Sequence, residues 1–229
     1  MNSILFIAFE DCEYSQNAFS FLKVCGFDIT CFWASRKRKT IIPDNIMEWS
    51  GDCVFHLKSY CILPKQLLDA SRYGVINFHP SPPKYPGSGG LNWGIYNGDK
   101  STGVTVHLMD EKVDNGPIMS FYKVPIYSGD NIKTILPRVH SKQLEVFYDI
   151  VGRIHQEGFE SIQRMINEYT DEGWGSKTGK IRQIDRMQRI TPEVKKTELE
   201  KIIRATAIGR FGPNLELHGS KFQYKGEIQ

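Results

Sequence analysis

No hydrophobic run in this chain approaches the roughly 18–20 apolar residues that a membrane-spanning helix needs. The first nine residues lack the basic region and the small-residue cleavage site of a secretory signal, and they are typical of a buried strand. The net charge of +3 is too weak to argue for a nucleic-acid partner. The sequence therefore predicts a globular protein with no membrane span.

Cysteine is scarce, and no C-x-x-C pair occurs among Cys12, Cys25, Cys31, Cys53 and Cys61. An odd number of cysteines without metal-ligand spacing favours reduced thiols that pack as small hydrophobic residues. We therefore expect a cytoplasmic protein. We also expect that no metal takes part in its chemistry.

Glycine is missing from the turn that follows the first predicted strand. Residues 4–9 and 27–33 have the composition of strands, and residues 17–24 between them have helical periodicity. This β-α-β unit is typical of a doubly wound sheet. The turn at residues 10–15 lacks the glycine-rich loop that wraps a pyrophosphate, and its acidic side chains would repel one. The sequence thus excludes a dinucleotide site at this turn.

The remaining pattern predicts an α/β fold, with a Rossmann-like, mostly parallel sheet flanked by helices. We divide the chain into a first domain, 1–178, and a small C-terminal helix and β-hairpin segment, 179–229. The further predicted strands are 53–56, 73–76, 104–109 and 118–124, and the predicted hairpin is 214–225. The predicted helices are 65–70, 91–96, 130–158, with Asp130 as its cap, and 192–205. The stretch 169–190 is predicted as a loop.

Two polar side chains, Asn77 and His79, follow the strand at residues 73–76 and should point the same way. Asp114 lies in a polar loop after another strand, and parallel strands would bring all three to one edge of the sheet. A carboxylate raises the pKa of a nearby imidazole, and an amide N–H stabilises a developing oxyanion. The set suits acyl transfer to a nitrogen nucleophile. Taken alone, however, Asn77 and Asp114 are typical of ordinary turns, and a lone His79 is more often a hydrogen-bonded structural group.

Several ordered motifs carry a resemblance to a known family. They are Asn77-Phe78-His79-Pro80-Ser81, Pro83-Lys84-Tyr85-Pro86-Gly87, Asn97-Gly98-Asp99, Thr102-Gly103-Val104-Thr105-Val106-His107 and Val113-Asp114-Asn115-Gly116-Pro117-Ile118. In this order they resemble the 10-formyltetrahydrofolate-dependent formyltransferases. That family includes glycinamide ribonucleotide transformylase, methionyl-tRNA formyltransferase and the sugar N-formyltransferases. The resemblance extends from about residue 60 to residue 158, close to half of the chain.

The resemblance implies that Asn77, His79 and Asp114 are catalytic. Asn77 and a protonated His79 would hold the oxyanion, and Asp114 would orient His79 and help move the proton from the attacking amine to the folate nitrogen. The resemblance also implies a site for 10-formyltetrahydrofolate as co-substrate. Its predicted cofactor-binding residues are Cys61, Ile62, Leu63, Asp110 and Val113.

The acceptor is predicted from regions outside the shared motifs. The turn at 10–15 differs from the phosphate-binding turn of the purine-pathway enzyme, and about forty residues after Ile190 are too few for the C-terminal barrel of the tRNA enzyme. Residues 202–221 resemble the short tail of the sugar N-formyltransferases. We therefore expect formylation of a nucleotide-linked amino sugar for surface polysaccharide, including lipopolysaccharide, biosynthesis.

Substrate contacts are predicted at Arg36, within the basic run 36–39, and at Tyr85 and Trp93. Two alternatives stay open: another amine acceptor, either an aminoacyl-tRNA or glycinamide ribonucleotide, and a non-catalytic folate-binding protein. A homodimer is also expected, because the predicted hairpin exposes a strand edge that a second copy would cover.

Overall fold

A six-stranded sheet lies at the centre of the computed structural model, which describes residues 2–35 and 40–226. Its strands are β1 (Ser3–Phe9), β2 (Asp28–Ala34), β3 (Cys53–His56), β4 (Val75–His79), β5 (Ser101–Leu108) and β6 (Ile118–Pro125). Their order is β2-β1-β3-β4-β5-β6. The first four strands pair parallel, and β5 pairs antiparallel with both of its neighbours, β4 and β6. The predicted α/β fold with a mostly parallel sheet is confirmed.

Helices cover the sheet and continue into the C-terminal part of the chain. They are α1 (Glu13–Val24), α2 (Asp44–Met47), α3 (Lys65–Asp69), α4 (Gly90–Asn97), α5 (Ile132–Glu157), α6 (Ser161–Glu168), α7 (Ile181–Met187) and α8 (Lys196–Thr206). None of the helices in the described residues is long and apolar enough to cross a membrane.

The long helix α5 is capped by Asn131, so the prediction of Asp130 as the cap is wrong by one residue. The Asn131 side chain accepts hydrogen bonds from the backbone N–H groups of Lys133 and Thr134, and the Thr134 hydroxyl accepts one from the Asn131 N–H in return. Asp130 instead accepts a hydrogen bond from the Thr134 hydroxyl at 2.9 Å. This reciprocal arrangement satisfies donors that a helix start otherwise leaves without partners.

Alternate residues of β1 supply the two apolar layers of the core. Ile4, Phe6 and Ala8 pack with α1 and α5 on one face of the sheet. Leu5, Ile7 and Phe9 pack on the other face, which α2 and α3 cover. A parallel strand buried on both faces is apolar at nearly every position, and this explains the continuous run at residues 4–9.

The C-terminal part differs from the prediction in two places. Helix α7 lies inside the stretch 169–190 that was predicted as loop, and α8 begins at Lys196 instead of residue 192. Helix α8 packs on α4, where the Asn92 side chain donates a hydrogen bond to the Ala205 carbonyl at 2.8 Å. The boundary between 178 and 179 stays a prediction.

The predicted C-terminal hairpin is confirmed. It consists of β7 (Asn214–Leu217) and β8 (Ser220–Gln223), which pair antiparallel. His218 and Gly219 form the turn with φ values of +49° and +77°. Both central residues of a tight hairpin turn need positive φ, which glycine adopts without strain.

Candidate active site

Strand β4 holds the two polar side chains around which the candidate site is built. Asn77 lies directly opposite His107 of β5, and His79 lies opposite Thr105. Because β5 is antiparallel to β4, the loop that follows Leu108 leaves beside the beginning of β4, and not at its carboxyl end. The prediction that parallel strands bring Asp114 to the site is therefore wrong.

The loop at residues 109–117, here called the aspartate loop, folds back toward His79 after leaving the sheet. Its first residue donates a backbone hydrogen bond to the Val75 carbonyl at 2.8 Å. Gly116 approaches the Leu108 carbonyl so closely that a Cβ at this position would lie 2.0 Å from that oxygen. Asp114 itself has a φ of +46°, in the left-handed region that few residues with side chains adopt. Backbone strain of this kind is concentrated at functional sites.

The Asp114 carboxylate is the centre of the cluster. One oxygen, Oδ2, lies 3.3 Å from His79 Nδ1 and accepts a hydrogen bond from the Gly87 N–H at 2.7 Å. The other oxygen, Oδ1, lies 3.3 Å from His107 Nε2 and 3.5 Å from Asn77 Nδ2. The structure thus brings Asn77, His79 and Asp114 together, as the sequence predicted.

Burial and hydrogen-bond partners together set the charge state of this cluster. Burial raises the pKa of Asp114, but its contact with the His79 imidazole and the hydrogen bond from the Gly87 N–H lower it to about 2. For His79, burial lowers the pKa, and Asp114, which acts in the opposite direction, does not restore its ordinary value. The expectation that His79 has a raised pKa is therefore wrong: the imidazole is neutral at neutral pH, and its Asp114 partner is ionised.

Two further histidines, which the sequence analysis did not single out, hold the Asn77 amide. His107 donates from Nδ1 to the Leu108 carbonyl at 2.8 Å, so its Nε2 accepts a hydrogen bond from Asn77 Nδ2 at 3.0 Å. His56 Nδ1 lies 3.1 Å from Asn77 Oδ1, and its Nε2 lies 3.2 Å from the Cys61 carbonyl. His107 lies within a recognised motif, and His56 ends a buried strand, but only the strand register places both beside Asn77.

The predicted cofactor-binding residues lie on two neighbouring segments. Cys61 and Leu63 are buried, whereas Ile62 is 75% exposed and Val113 is 50% exposed. Exposed apolar side chains at the edge of a polar site are typical of a ligand-binding groove. The Cys61 carbonyl also contacts His56, so this segment is connected to Asn77 through one side chain.

An ion pair at the surface shows that these segments are close, and a turn orders the aspartate loop. Lys65 Nζ lies 3.2 Å from a Glu111 carboxylate oxygen, which brings residues 60–64 beside the aspartate loop. Asp110 accepts hydrogen bonds from the Lys112 N–H at 2.8 Å and from the Asn115 amide at 2.7 Å. The two segments are therefore adjacent, and both expose an apolar side chain.

Of the predicted substrate-binding residues, Tyr85 contacts the Asn77–His79–Asp114 cluster through its backbone, and Trp93 lies at a separate cavity. The Tyr85 hydroxyl donates to Asp99 at 2.9 Å and accepts from Asn97 at 3.0 Å, so it is engaged at the end of α4. Its backbone carbonyl, by contrast, lies 3.3 Å from His79 Nε2. Trp93 borders a cavity of about 560 Å³ between α4, α7 and α8. Arg36 lies outside the described residues.

Within the part of the chain that the structure describes, no group of three or more His, Cys, Asp and Glu side chains is arranged to hold a metal ion. The expectation that no metal takes part in the chemistry stays a prediction.

The fold and this cluster define the kind of site first: in an α/β protein, the Asn77 amide and the His79 imidazole of one strand meet the carboxylate of Asp114 from a neighbouring loop. A family model described as formyl transferase matches residues 8–151, more than half of the chain. The chain belongs to the formyl transferase family.

Among curated relatives, a methionyl-tRNA formyltransferase from Thermosynechococcus vestitus is 35% identical over 117 residues, which cover 50% of this chain and 35% of that protein. The chain thus matches about a third of the length of this relative. Among solved structures, a 4-N formyltransferase from Francisella tularensis superposes with a TM-score of 0.75 at 19% identity, covering 100% of this chain and 98% of that one.

A further solved structure is the formyltransferase PseJ from Anoxybacillus kamchatkensis, in complex with UDP-4,6-dideoxy-4-formamido-L-AltNAc and tetrahydrofolate. It superposes with a TM-score of 0.61 at 19% identity over 80% of this chain and 88% of that one. At identities this low, the two superpositions show that the fold is shared and nothing more.

Proposed function

We propose that this protein transfers a formyl group from 10-formyltetrahydrofolate to the amine of a nucleotide-linked amino sugar. The observation that carries the proposal is that His79 Nδ1 and Asn77 Nδ2 both lie within 3.5 Å of the Asp114 carboxylate. Membership of the formyl transferase family supports the reaction type.

The three side chains divide the work of acyl transfer to an amine. 10-Formyltetrahydrofolate supplies an electrophilic formyl carbonyl attached to a nitrogen that can leave. Asn77 Nδ2 has one short contact, with His107, and a long one of 3.5 Å with Asp114. The N–H that faces Asp114 at this longer distance is the one that would turn to the carbonyl oxygen as that oxygen gains negative charge.

Neutral His79 is suited to accept the proton of the attacking amine. Because the Asp114 carboxylate attracts the Nδ1 proton, Nε2 is the basic nitrogen. Once protonated, Nε2 donates to the Tyr85 carbonyl, and Asp114 stabilises the imidazolium charge. His79 then returns the proton to the leaving nitrogen, so no proton is gained or lost overall.

The two segments at 60–63 and 110–113 are the proposed folate site. Ile62 and Val113 would contact the faces of the pterin, and the backbone of Cys61, Leu63 and Asp110 would pair with its polar edge. The exposure of the two apolar side chains supports this assignment.

The choice of a sugar acceptor is supported by one solved complex. The superposition on the 4-N formyltransferase covers the whole of this chain, so α8 and the hairpin belong to the shared fold. The PseJ complex contains a UDP-linked formamido sugar, which supports a nucleotide-linked acceptor. The higher identity of the methionyl-tRNA relative makes an aminoacyl-tRNA the second candidate acceptor.

The test is a panel of acceptors. Purified protein with 10-formyltetrahydrofolate is mixed with UDP- and dTDP-linked 3-amino and 4-amino sugars, methionyl-tRNA, or glycinamide ribonucleotide, and products are detected by mass spectrometry. We expect one nucleotide-linked amino sugar to gain a formyl group. Formylation of methionyl-tRNA or glycinamide ribonucleotide alone would contradict the sugar assignment. Binding of folate without transfer to any amine would contradict the proposal that the protein catalyses formyl transfer.

We further propose a homodimer that covers the hairpin. Phe222 is 54% exposed and Leu217 is 41% exposed on this two-stranded sheet, and an isolated hairpin of this kind is marginally stable alone. Light scattering should give about twice the 26.3 kDa mass of one chain. Phe222→Asp should give monomers, while Lys221→Ser, a polar change on the same strand, should leave the mass unchanged. A monomeric wild-type protein would contradict the proposal.

We place this reaction in the cytoplasm and in surface polysaccharide biosynthesis. All five cysteines are free thiols in the structure, which is compatible with a reducing compartment. The polysaccharide role rests on the proposed acceptor alone.

A further inference from the structure

Residues 171–180, here called the crossing segment, lie against the loop at residues 80–89, here called the proline loop. The crossing segment has no helix or strand. Its Gly175 N–H donates to the Pro83 carbonyl at 3.0 Å, and its Gly179 N–H donates to the Pro86 carbonyl at 2.7 Å. The Ser88 N–H donates back to the Gly179 carbonyl at 2.9 Å, so three main-chain hydrogen bonds fix the crossing segment along the loop that follows His79.

The same segment reaches the aspartate loop through Trp174. The indole N–H of Trp174 donates to the Gly116 carbonyl at 2.7 Å. Its ring packs edge-on against two imidazoles, with ring centroids 4.9 Å from His107 and 6.1 Å from His79. Trp174 therefore contacts the two imidazoles that flank the Asp114 carboxylate, although it is 60 residues further along the chain than Asp114.

Close approach of backbone to backbone requires glycine at the contact points. A Cβ on Gly175 would lie 2.3 Å from the Lys84 carbonyl oxygen, and one on Gly179 would lie 2.5 Å from the Ser88 carbonyl oxygen. Backbone atoms cannot move aside as a flexible side chain can. The crossing segment thus fits one position on the proline loop.

The contacts matter for Asp114 because Gly87, its shortest hydrogen-bond donor, lies in the proline loop. The crossing segment joins that donor to the loop that carries Asp114. The ionisable groups that face this region are His56 from β3, His79 from β4, His107 from β5 and Asp114 itself. Covering them with an indole keeps water out, and this strengthens every charge interaction among them.

We propose that Trp174 is a positioning residue for formyl transfer: it joins the aspartate loop to the proline loop and shields the His79–His107 pair from water. The effect on rate rests on the proposed function, whereas the effect on His79 does not. Trp174 has no role in the predicted site, and the stretch that contains it was predicted as a plain loop.

Three substitutions test the proposal. Trp174→Ala removes the indole, Trp174→Phe keeps a ring but deletes the N–H donor to Gly116, and Gly179→Ala disturbs the crossing segment without touching Trp174. Trp33→Phe is the matched control, because Trp33 packs on Phe6 and Phe19 in the core. The pKa of His79 is measured by NMR titration, with its signal assigned by its loss in His79→Asn.

We expect Trp174→Ala to raise the pKa of His79 toward its ordinary value and to lower kcat at least tenfold, with a smaller change in KM for the acceptor. Trp174→Phe and Gly179→Ala should fall between Trp174→Ala and wild type, and Trp33→Phe should match wild type. An unchanged His79 pKa in folded Trp174→Ala would overturn the proposal. If the wild type transfers no formyl group, the proposed function fails, and the NMR titration still decides whether Trp174 shields His79.

Discussion

Replacing Asp114 by asparagine is expected to lower kcat for formyl transfer by about 10³-fold or more, because the imidazolium formed at His79 loses the charge that stabilises it. The side chain keeps its size and can still accept the Gly87 hydrogen bond. The change therefore removes the negative charge and leaves the shape of the site. Initial rates with the acceptor identified in the panel, measured at saturating 10-formyltetrahydrofolate, give the comparison.

The same substitution has a second expected consequence at His79. Asp114 raises the pKa of His79 against the effect of burial, so the uncharged asparagine should lower that pKa further. NMR titration of His79 in both proteins tests the sign. The variant should still bind tetrahydrofolate, because Ile62 and Val113, the exposed apolar side chains of the proposed folate site, are unchanged.

A matched control is Asp149→Asn, another aspartate that accepts a hydrogen bond from a side chain, here the Tyr122 hydroxyl at 2.5 Å. It lies on α5, outside the proposed site, and its variant should retain wild-type activity. If Asp114→Asn kept more than a tenth of wild-type kcat, the assignment of Asp114 as the partner of His79 would be wrong.

The position of Asp114 also shows where local sequence patterns reach their limit. Alternation along β4 was enough to predict that Asn77 and His79 share a face, because that period belongs to the strand alone. Whether β5 runs parallel or antiparallel to β4 depends instead on how the two strands pair, which the sequence of neither strand shows. The connection from β4 to β5, residues 80–100, contains α4 and is long enough for a crossover between parallel strands, so its length does not reveal that the two strands run antiparallel.

His107 and Trp174 could not be recognised from their own neighbourhoods. His107 becomes part of the site only through the register that sets it opposite Asn77, and register is fixed by side-chain packing across the sheet. Trp174 lies in a polar, glycine-containing stretch that is typical of a solvent-exposed loop. Two glycines of this stretch, Gly175 and Gly179, instead permit close backbone contact with the proline loop. That role becomes visible only when the partner backbone is known.

Strand β4 is held from behind by α5, and the largest loss of stability is expected from Phe147→Ala on that helix. Phe147 is fully buried, and its ring centroid lies 5.0 Å from Phe78, 5.9 Å from Phe6 and 5.9 Å from Phe55. Truncating a buried phenylalanine removes its transfer free energy and leaves a cavity, at a cost of about 3–5 kcal/mol.

Urea unfolding followed by circular dichroism measures the change in the free energy of unfolding for Phe147→Ala. Val24→Ala is the control: this side chain is 83% exposed, and its loss should change stability by less than about 0.5 kcal/mol. A loss below about 1 kcal/mol for Phe147→Ala would mean that the core closes around the cavity. Since Phe78 lies between Asn77 and His79, a loss in the expected range would show that the packing of α5 fixes the strand on which the proposed chemistry depends.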